Sequence, residues 1–479
     1  MSASDADIFK YIPAPPLYSE SIDFQSLYRE YPPAPQYFST VHRMPPHELR
    51  ALQEKRFLTT VARGWEVPFY QKLWGKAGLE PGDIRGLDDI VKIPPYTVHD
   101  LRESIERNPP WGDYWGVTLA DGARMPLVLQ TSGGTTGLPR PMIYSPRDRE
   151  VMSIMGGRRL IMQGVRPGDL VQVTMSLGLT NAGMMVREYL WKYTGAIALT
   201  TGSGAATPSR RQIELAQSWK STVLLGIPSY IRHLGIVARD EMNIDPRSLG
   251  IRLICCGLGP EPRDALEELW GAKVMQQYGT NESGMMSAEC PFQNGFHIFE
   301  DAYLLEIADP STRQPVPHGE KGNTYITCLY KYAAPVIRFD SNDVSAFCVD
   351  ACPCGGTHRR MQGIFGRADN MVRLRGINIF PEAIATVLAG DERCNGEYFC
   401  TVDTVGKSER DEMTVKVEVR NAAVDRAQLE QELERRFKEV LSVKVIVEVV
   451  DPQSLDKLTG LTQTSKIKRL ADNRSVKKL

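Results

Sequence analysis

The sequence has no uninterrupted apolar run of the roughly 18 residues that a membrane-spanning helix needs. Its start, MSASDADIFKYIPAPP, has neither the basic patch nor the apolar stretch of a secretory leader, so a cytoplasmic protein without membrane contact is expected. It has no excess charge of either sign: 57 Lys+Arg against 58 Asp+Glu leave a net −1. No global field therefore draws it to nucleic acid or to an anionic membrane, and an anionic ligand has to be recognised locally. Cysteine is scarce, nine in 479 residues, too few and odd in number for a disulfide scaffold. Free thiols or metal ligands are the expected use. What the chain does have is length, enough for roughly three domains or subdomains at about 150 residues each. With 42% hydrophobic and 24% charged residues, it has the composition of a globular protein with a sizeable core.

Residues 1–44 are rich in Pro, Tyr and Ser (IPAPPLYSES, YPPAPQYF) and read as an irregular, extended segment wrapping the body. After Pro45, Leu49, Leu52, Phe57 and Val61 recur at helical spacings, which predicts a helical layer. Between about 126 and 330, apolar runs (PLVLQ, DLVQVTM, AIALTT, TVLLGI, IRLICCG, KVMQQYG) alternate with helix-like stretches such as RRQIELAQSWK and PRDALEELWG. Continuously apolar strands spaced by helices predict an α/β body of sheets covered on both faces, with ligands at the carboxyl ends of the strands. Past residue 370 the segments MVRLRGINIF, PEAIATVLAG, TVKVEVR, VDRAQLEQELERRFKEVL and VKVIVEVV predict a smaller α+β domain of about 110 residues. The basic end, SKIKRLADNRSVKKL, is the one argument for nucleic-acid binding, and the balanced total charge weighs against it.

The most informative stretch is LQTSGGTTGLPRP. Ser132, Thr135 and Thr136 are interleaved there with Gly133, Gly134 and Gly137, directly after an apolar run. Glycines let backbone N–H groups approach phosphate oxygens and the hydroxyls add donors, so the loop suits a polyphosphate. It is not a Walker loop, because no Gly-Lys-Ser/Thr follows. With this loop, GVRPGD (164–169), GPEP (259–262), YGTNESG (278–284), PVIRFDSND (335–343), GRADNMVRLRG (366–376) and TQTSKIKR (462–469) occur in order. In these motifs the sequence resembles the adenylate-forming superfamily, in particular its phenylacetate-CoA ligase type, from about residue 45 to the C-terminus.

The resemblance implies an enzyme that joins a carboxylate to ATP as an acyl-adenylate, releases pyrophosphate, and passes the acyl group to coenzyme A. Anion meets anion in the first step, so positive charge and oriented donors are required. By resemblance, the loop Ser132–Gly137 with Gly259, Glu261, Tyr278, Gly279 and Thr280 binds ATP and AMP, with Tyr278 against adenine. Glu282 holds Mg²⁺, a role that suits a hard carboxylate. Asp343 takes the ribose hydroxyls, Arg367 also reaches the ribose, and Lys466 approaches the substrate carboxylate and the α-phosphate. The implied layout is an N-terminal body (1–366), a hinge (367–369) centred on Asp369, and a mobile C-terminal lid (370–479). Rotation of that lid would withdraw Lys466 and bring a CoA channel beside Arg373, Arg375 and Gly376. Members of the group often dimerise, so a homodimer is among the expectations. The chain departs from the family pattern at Leu138, where a lysine is common and Arg140 stands as a substitute, at Asn281 for a threonine, and at Ser465 for a glycine.

Cys290 and His297 in CPFQNGFH, with Cys352 and Cys354 in CPCGG, offer one imidazole and three thiolates. That set suits a closed, structural, tetrahedral Zn²⁺ site. Four ordinary buried residues is the competing reading, with His358 as another candidate ligand. Some relatives in the family carry a comparable zinc site.

The acyl pocket is assigned by resemblance to 174–185, 226–230, 257–261 and 276–280, including Ser176, Asn181, Gly257 and Tyr278. Relatives that take phenylacetate usually have aromatic residues in the first of these, whereas TMSLGLTNAGMM has none. Ser176 and Asn181 could pair with a substrate hydroxyl, which favours a short branched hydroxy acid such as 2-hydroxyisobutyrate. Phenylacetate or another aryl acid remains open. So do an adenylating enzyme that loads a carrier protein or an amine, and a nucleotide-binding regulator without catalysis.

Overall fold

The runs Ile197–Thr200, Leu170–Val173, Val223–Leu225, Leu253–Cys256 and Lys273–Thr280 lie side by side, in that order, as parallel strands. The computed structural model describes residues 14–132, 139–257, 262–368, 372–374, 377–405, 410–459 and 469–474. Parallel neighbours need crossover connections, and the helices Asn181–Tyr193, Ser209–Trp219, Pro228–Ile236 and Arg263–Trp270 lie in the intervals between these strands. Val223–Leu225 and Leu253–Cys256 are buried at every position, as strands covered on both faces must be. Antiparallel strands Gly284–Glu289, Phe296–Ile298 and Arg360–Met361 extend the sheet to eight.

The helix Pro146–Gln163 crosses the interior and is buried almost end to end. Ser145 and Asp148 form a capping box at its start, and Gly164, at φ 102°, ends it in the left-handed conformation that glycine adopts without strain. Three of its arginines are buried, and each has partners. Arg158 donates to both carboxylate oxygens of Asp301 at 2.9 Å, Arg149 reaches Asn181 and Glu188, and Arg159 reaches Gln277 and the Tyr189 hydroxyl. A Cβ at Gly156 would sit 2.1 Å from the Tyr189 ring, so glycine is what lets the helix Asn181–Tyr193 pack this closely.

Two expectations are corrected. Val128–Thr131 does not join the parallel sheet but pairs antiparallel with Pro141–Tyr144 in a two-stranded ribbon, because the chain reverses after Ser132 and returns beside itself. Leu129 is accordingly 49% exposed. The described part of the N-terminal segment is not extended throughout: Phe24–Glu30 is a helix whose N-cap, Asp23, accepts from the Ser26 N–H. The segment does hold to the body, where Arg158 Nε donates to the Pro32 carbonyl at 2.8 Å and Tyr37 is fully buried.

Tyr303–Ala308, Gly322–Cys328, Phe339–Ser345 and Gly366–Arg367 form an antiparallel sheet that sets Asp343 directly opposite Arg367. From Val372 onward the chain has its own apolar core. The helix Arg426–Leu441 turns Leu429, Leu433, Phe437 and Leu441 onto a four-stranded sheet whose central pair is Cys394–Val405 and Arg410–Val419. Each fully buried Leu or Phe there contributes roughly 1.5–3 kcal/mol. Among the described residues no helix is long and apolar enough to cross a membrane.

Candidate active site and candidate metal centre

The residues that flank the Gly/Thr-rich stretch 133–138 are tied together. The Ser132 N–H donates to the Arg140 carbonyl at 2.9 Å, and the Arg140 N–H donates back to Ser132 Oγ at 3.1 Å. Gly133, Gly134, Thr135, Thr136, Gly137 and Leu138 lie outside the described residues, as do Gly259, Glu261, Asp369, Arg375, Gly376, Ser465 and Lys466. Arg373 is placed in the strand Val372–Leu374, opposite Asn378.

Glu282 sits in a turn closed by Thr280 and Ser283, whose hydroxyl oxygens are 3.0 Å apart and each accept from the other residue's N–H. The turn follows a strand in which Gly279 has no room for a side chain, since a Cβ would lie 2.3 Å from the Gly284 carbonyl oxygen. The Glu282 carboxylate forms an ion pair with the Arg140 guanidinium, both residues being buried. Lys331 Nζ donates to the Glu282 backbone carbonyl. Burial works against the Glu282 carboxylate, but Arg140, and then Lys331, hold it below the usual carboxylate range. Burial also lowers Lys331. A cleft opens against this trio, walled by Tyr70, Tyr96, Tyr114 and Trp115.

Tyr278, Asp343 and Arg367 meet at a second point. The Tyr278 hydroxyl donates to Asp343 Oδ2 at 2.6 Å and lies 3.1 Å from Ser341 Oγ, and Arg367 Nη1 donates to Asp343 Oδ1 at 3.3 Å. Asp343 is oriented by these partners, while Arg367 stays 40% exposed.

In the acyl segment, Asn181 opens its helix and is buried, with both ends of its amide engaged by protein. Oδ1 accepts from Arg149 Nη1 at 2.8 Å and Nδ2 donates to the Tyr144 hydroxyl at 3.1 Å. Ser176 is half-buried, and its carbonyl lies so close to Gly183 that a Cβ there would be 2.3 Å away. Gly257 is exposed. A bridge between Thr131 and Thr180 ties the phosphate-loop strand to this segment, through the Thr131 N–H donating to the Leu179 carbonyl at 2.7 Å. Arg149, Tyr144 and Lys331 escaped the sequence reading. A charged residue within an apolar helix pattern gives no sign of which way it points, and Tyr144 reads as an ordinary strand residue.

The ligand atoms of Cys290, His297, Cys352 and Cys354 all lie within 4.8 Å of one another. Cys290 Sγ is 3.6 Å from Cys352 Sγ, and His297 Nε2 is 3.3 Å from Cys354 Sγ. A tetrahedral zinc bound at about 2.3 Å by thiolates requires sulfurs about 3.8 Å apart, so the cluster has the right size. Burial pushes the Cys290 thiol up to about 12 and His297 down to about 3. Among the described residues, His297 Nδ1 is buried without a hydrogen-bond partner. His358 lies outside the cluster, its ring nitrogens 2.9 Å from the carbonyls of Ile298 and Val41. His42, unforeseen from sequence, approaches Cys354 Sγ at 3.8 Å, and Gly356 makes room for it, because a Cβ there would be 2.3 Å from His42 Nε2.

Residues 92–327 match the AMP-binding enzyme family and residues 376–474 match the AMP-binding enzyme C-terminal domain. The chain is 33% identical to the phenylacetate-coenzyme A ligase of Thermus thermophilus, over 80% of this chain and 84% of that one. It is 29% identical to the ligase of the same name from Escherichia coli, over 86% and 93% of the two chains. Among solved structures it is similar to 2-hydroxyisobutyryl-CoA ligase. In the postadenylation state of that enzyme the TM-score is 0.80 at 29% identity, over 90% of this chain and 91% of that one. In the thioesterification state, with 2-HIB-AMP and CoA, the TM-score is 0.65 at 31% identity, over 91% of each. The ordered motifs, the two-part fold and the 33% identity over most of both chains together show that the chain belongs to the adenylate-forming superfamily, in its phenylacetate-CoA ligase type, a group of AMP-forming acid–thiol ligases.

Proposed function

We propose that this acyl-CoA ligase acts on a short branched hydroxy acid of the 2-hydroxyisobutyrate kind, with ATP, Mg²⁺ and CoA. The observation that supports the substrate is the composition of the segment 174–185, assigned to the acyl pocket by resemblance, which holds Ser176, Leu177, Leu179 and Thr180 and no aromatic residue. Likeness to 2-hydroxyisobutyryl-CoA ligase over 90% of this chain supports the same reading. The 33% identity to a phenylacetate-coenzyme A ligase favours an aryl acid instead. A panel of acids with ATP and CoA, followed by AMP release, separates the two. Faster turnover of phenylacetate than of 2-hydroxyisobutyrate overturns the hydroxy-acid assignment. Discharge of the adenylate by CoA alone, with no carrier protein or amine, tests the acceptor.

In this reading Asp343, held by Tyr278 and Arg367, accepts the ribose hydroxyls, and the Tyr278 ring lies against adenine. Glu282 is the residue that would hold Mg²⁺, and it fits, being a hard oxygen donor kept ionised by its neighbours. An ion bound there screens the charges of the phosphates. Arg140, paired with Glu282 at the end of this loop, would offer the phosphates a guanidinium where the family pattern has a lysine. Lys466 supplies the remaining positive charge to the carboxylate and α-phosphate during adenylation. The unit 370–479 rotates about Asp369, and the separate apolar core that begins at Val372 supports its moving as a body. Arg373, Arg375 and Gly376 then border the CoA channel. The four-residue Cys/His cluster is read as a closed structural zinc site, on the strength of its ligand set and spacing. The setting is read as cytoplasmic, where ATP and CoA are supplied, and the assembly as a homodimer, which light scattering tests.

A further inference from the structure

The strand Cys394–Val405 carries an irregularity that none of the roles above uses. Its register with Arg410–Val419 shifts between Cys394 and Tyr398, and Gly396 sits in the bulge at φ 89°, a conformation that side-chain-bearing residues rarely adopt. A bulge re-aims the residues it contains. Here it turns the Asn395 carbonyl and the Glu397 carboxylate toward one guanidinium of the large body. Arg232, on the helix Pro228–Ile236, donates through Nη1 to the Asn395 carbonyl at 2.7 Å and through Nη2 to Glu397 Oε1 at 2.8 Å. The receptor is held from behind, because Asn395 Nδ2 donates to the buried Glu418 at 2.7 Å and Asn395 Oδ1 accepts the Glu397 N–H at 2.9 Å. A Cβ at position 396 would lie 3.3 Å from Arg232 Nη1, so the approach also needs the glycine. The other oxygen of Glu397 accepts from Arg469 Nη1 at 2.7 Å. Arg469 comes three residues after Lys466 in the sequence.

We propose that Arg232 and Glu397 are positioning residues for adenylation: they latch the small domain to the body in the orientation used before thioester formation, and Glu397 links that latch to the segment bearing Lys466. The direction comes from the comparison with one enzyme caught in two states. At near-equal identity and coverage, the TM-score is 0.80 against the postadenylation state and 0.65 against the thioesterification state. The arrangement in which Arg232 meets Glu397 is therefore closer to the state that precedes thioester formation. The latch has to open before CoA can react, so its loss should act on the two half-reactions unequally.

This inference rests on the two-step ligase reading, and the experiment keeps the two apart. Arg232→Ala removes the leg between domains while leaving Glu397 paired with Arg469. Acid-dependent ATP–pyrophosphate exchange should fall by about tenfold, the size expected for a charge-assisted hydrogen-bonded pair. Thioester formation from a supplied acyl-adenylate and CoA should be unchanged or faster, and Arg232→Lys should restore part of the exchange. Small-angle scattering of the substrate-free protein should show wild type in one domain arrangement and Arg232→Ala in a broader distribution, independently of any activity. Equal loss in both half-reactions, or no change in either exchange or scattering, overturns the latch. Absence of exchange in wild type with every acid tried overturns the ligase reading, and the scattering comparison still decides the latch.

Discussion

Arg140 and Glu282 form a buried ion pair that joins the end of the phosphate loop to the turn after the longest strand of the main sheet. Two charges are out of water together, which is tolerable only while each has the other. In the proposed mechanism the same carboxylate is wanted by the metal, so the pair is where nucleotide loading meets the stability of the empty enzyme.

Glu282→Gln should therefore do two things. Leaving Arg140 buried without its counter-charge should destabilise the fold by about 3–5 kcal/mol, measured by urea unfolding. Adenylation should fall by at least about a hundredfold at saturating Mg²⁺, since an amide is a poor ligand for a hard cation. A variant with wild-type ATP–pyrophosphate exchange would remove Glu282 from the site.

The same pair sets a pH limit. Glu282 and Glu397 are both held below their ordinary value, against burial, by Arg140 in one case and by Arg469 and Arg232 in the other. A depressed folded pKa contributes stability that is fully present above the unfolded value, about 4.3, and is lost as pH falls through the lower folded value. Stability from these two groups should thus hold from neutral pH to near 5 and decline below about 4. Urea midpoints from pH 3 to 7 check this, and Glu282→Gln should flatten the acid limb.

Part of this was legible in the sequence. Val223–Leu225 and Leu253–Cys256 announce themselves as interior strands because every residue is apolar, and the Cys/His set because few other uses explain that grouping. The three antiparallel strands of the main sheet were not legible. Gly284–Glu289 mixes glycine, serine and glutamate, and it is a strand because Lys273–Thr280 offers it an edge. Nor could the order of residues show that Arg158 meets Asp301 or that Asn181 meets Arg149, since a buried ion pair or hydrogen bond far apart in sequence leaves no periodic trace. The ribbon Val128–Thr131 with Pro141–Tyr144 misled because an apolar run fixes that a strand forms, not which neighbour it takes.

Metal analysis of the purified protein should find about one zinc per chain. Chelation should lower the melting temperature, because the cluster ties the Cys290–His297 loop to the Cys352–Cys354 turn, and Cys352→Ser should abolish stoichiometric binding. Adenylation should weaken only as far as the fold does, because no ligand position is left open for substrate. A zinc-free preparation with full activity and an unchanged melting temperature would remove the site.

Asn181 gives the sharpest test of substrate recognition. Its amide is engaged at both ends, with Arg149 at 2.8 Å and the Tyr144 hydroxyl at 3.1 Å, so pairing a substrate hydroxyl would require it to exchange a protein partner. Asn181→Ala leaves the buried Arg149 and Tyr144 groups without this partner, which should cost about 1–3 kcal/mol of stability. If the amide also pairs with the acid's hydroxyl, the variant should lose kcat/KM on 2-hydroxyisobutyrate by about tenfold or more relative to isobutyrate, which lacks the hydroxyl. If it serves only to hold Arg149 and the start of its helix, both acids should fall by the same factor. Parallel kinetics on the two acids, with urea unfolding of the variant alongside, distinguish a residue that reads the substrate from one that holds the wall of the pocket in place.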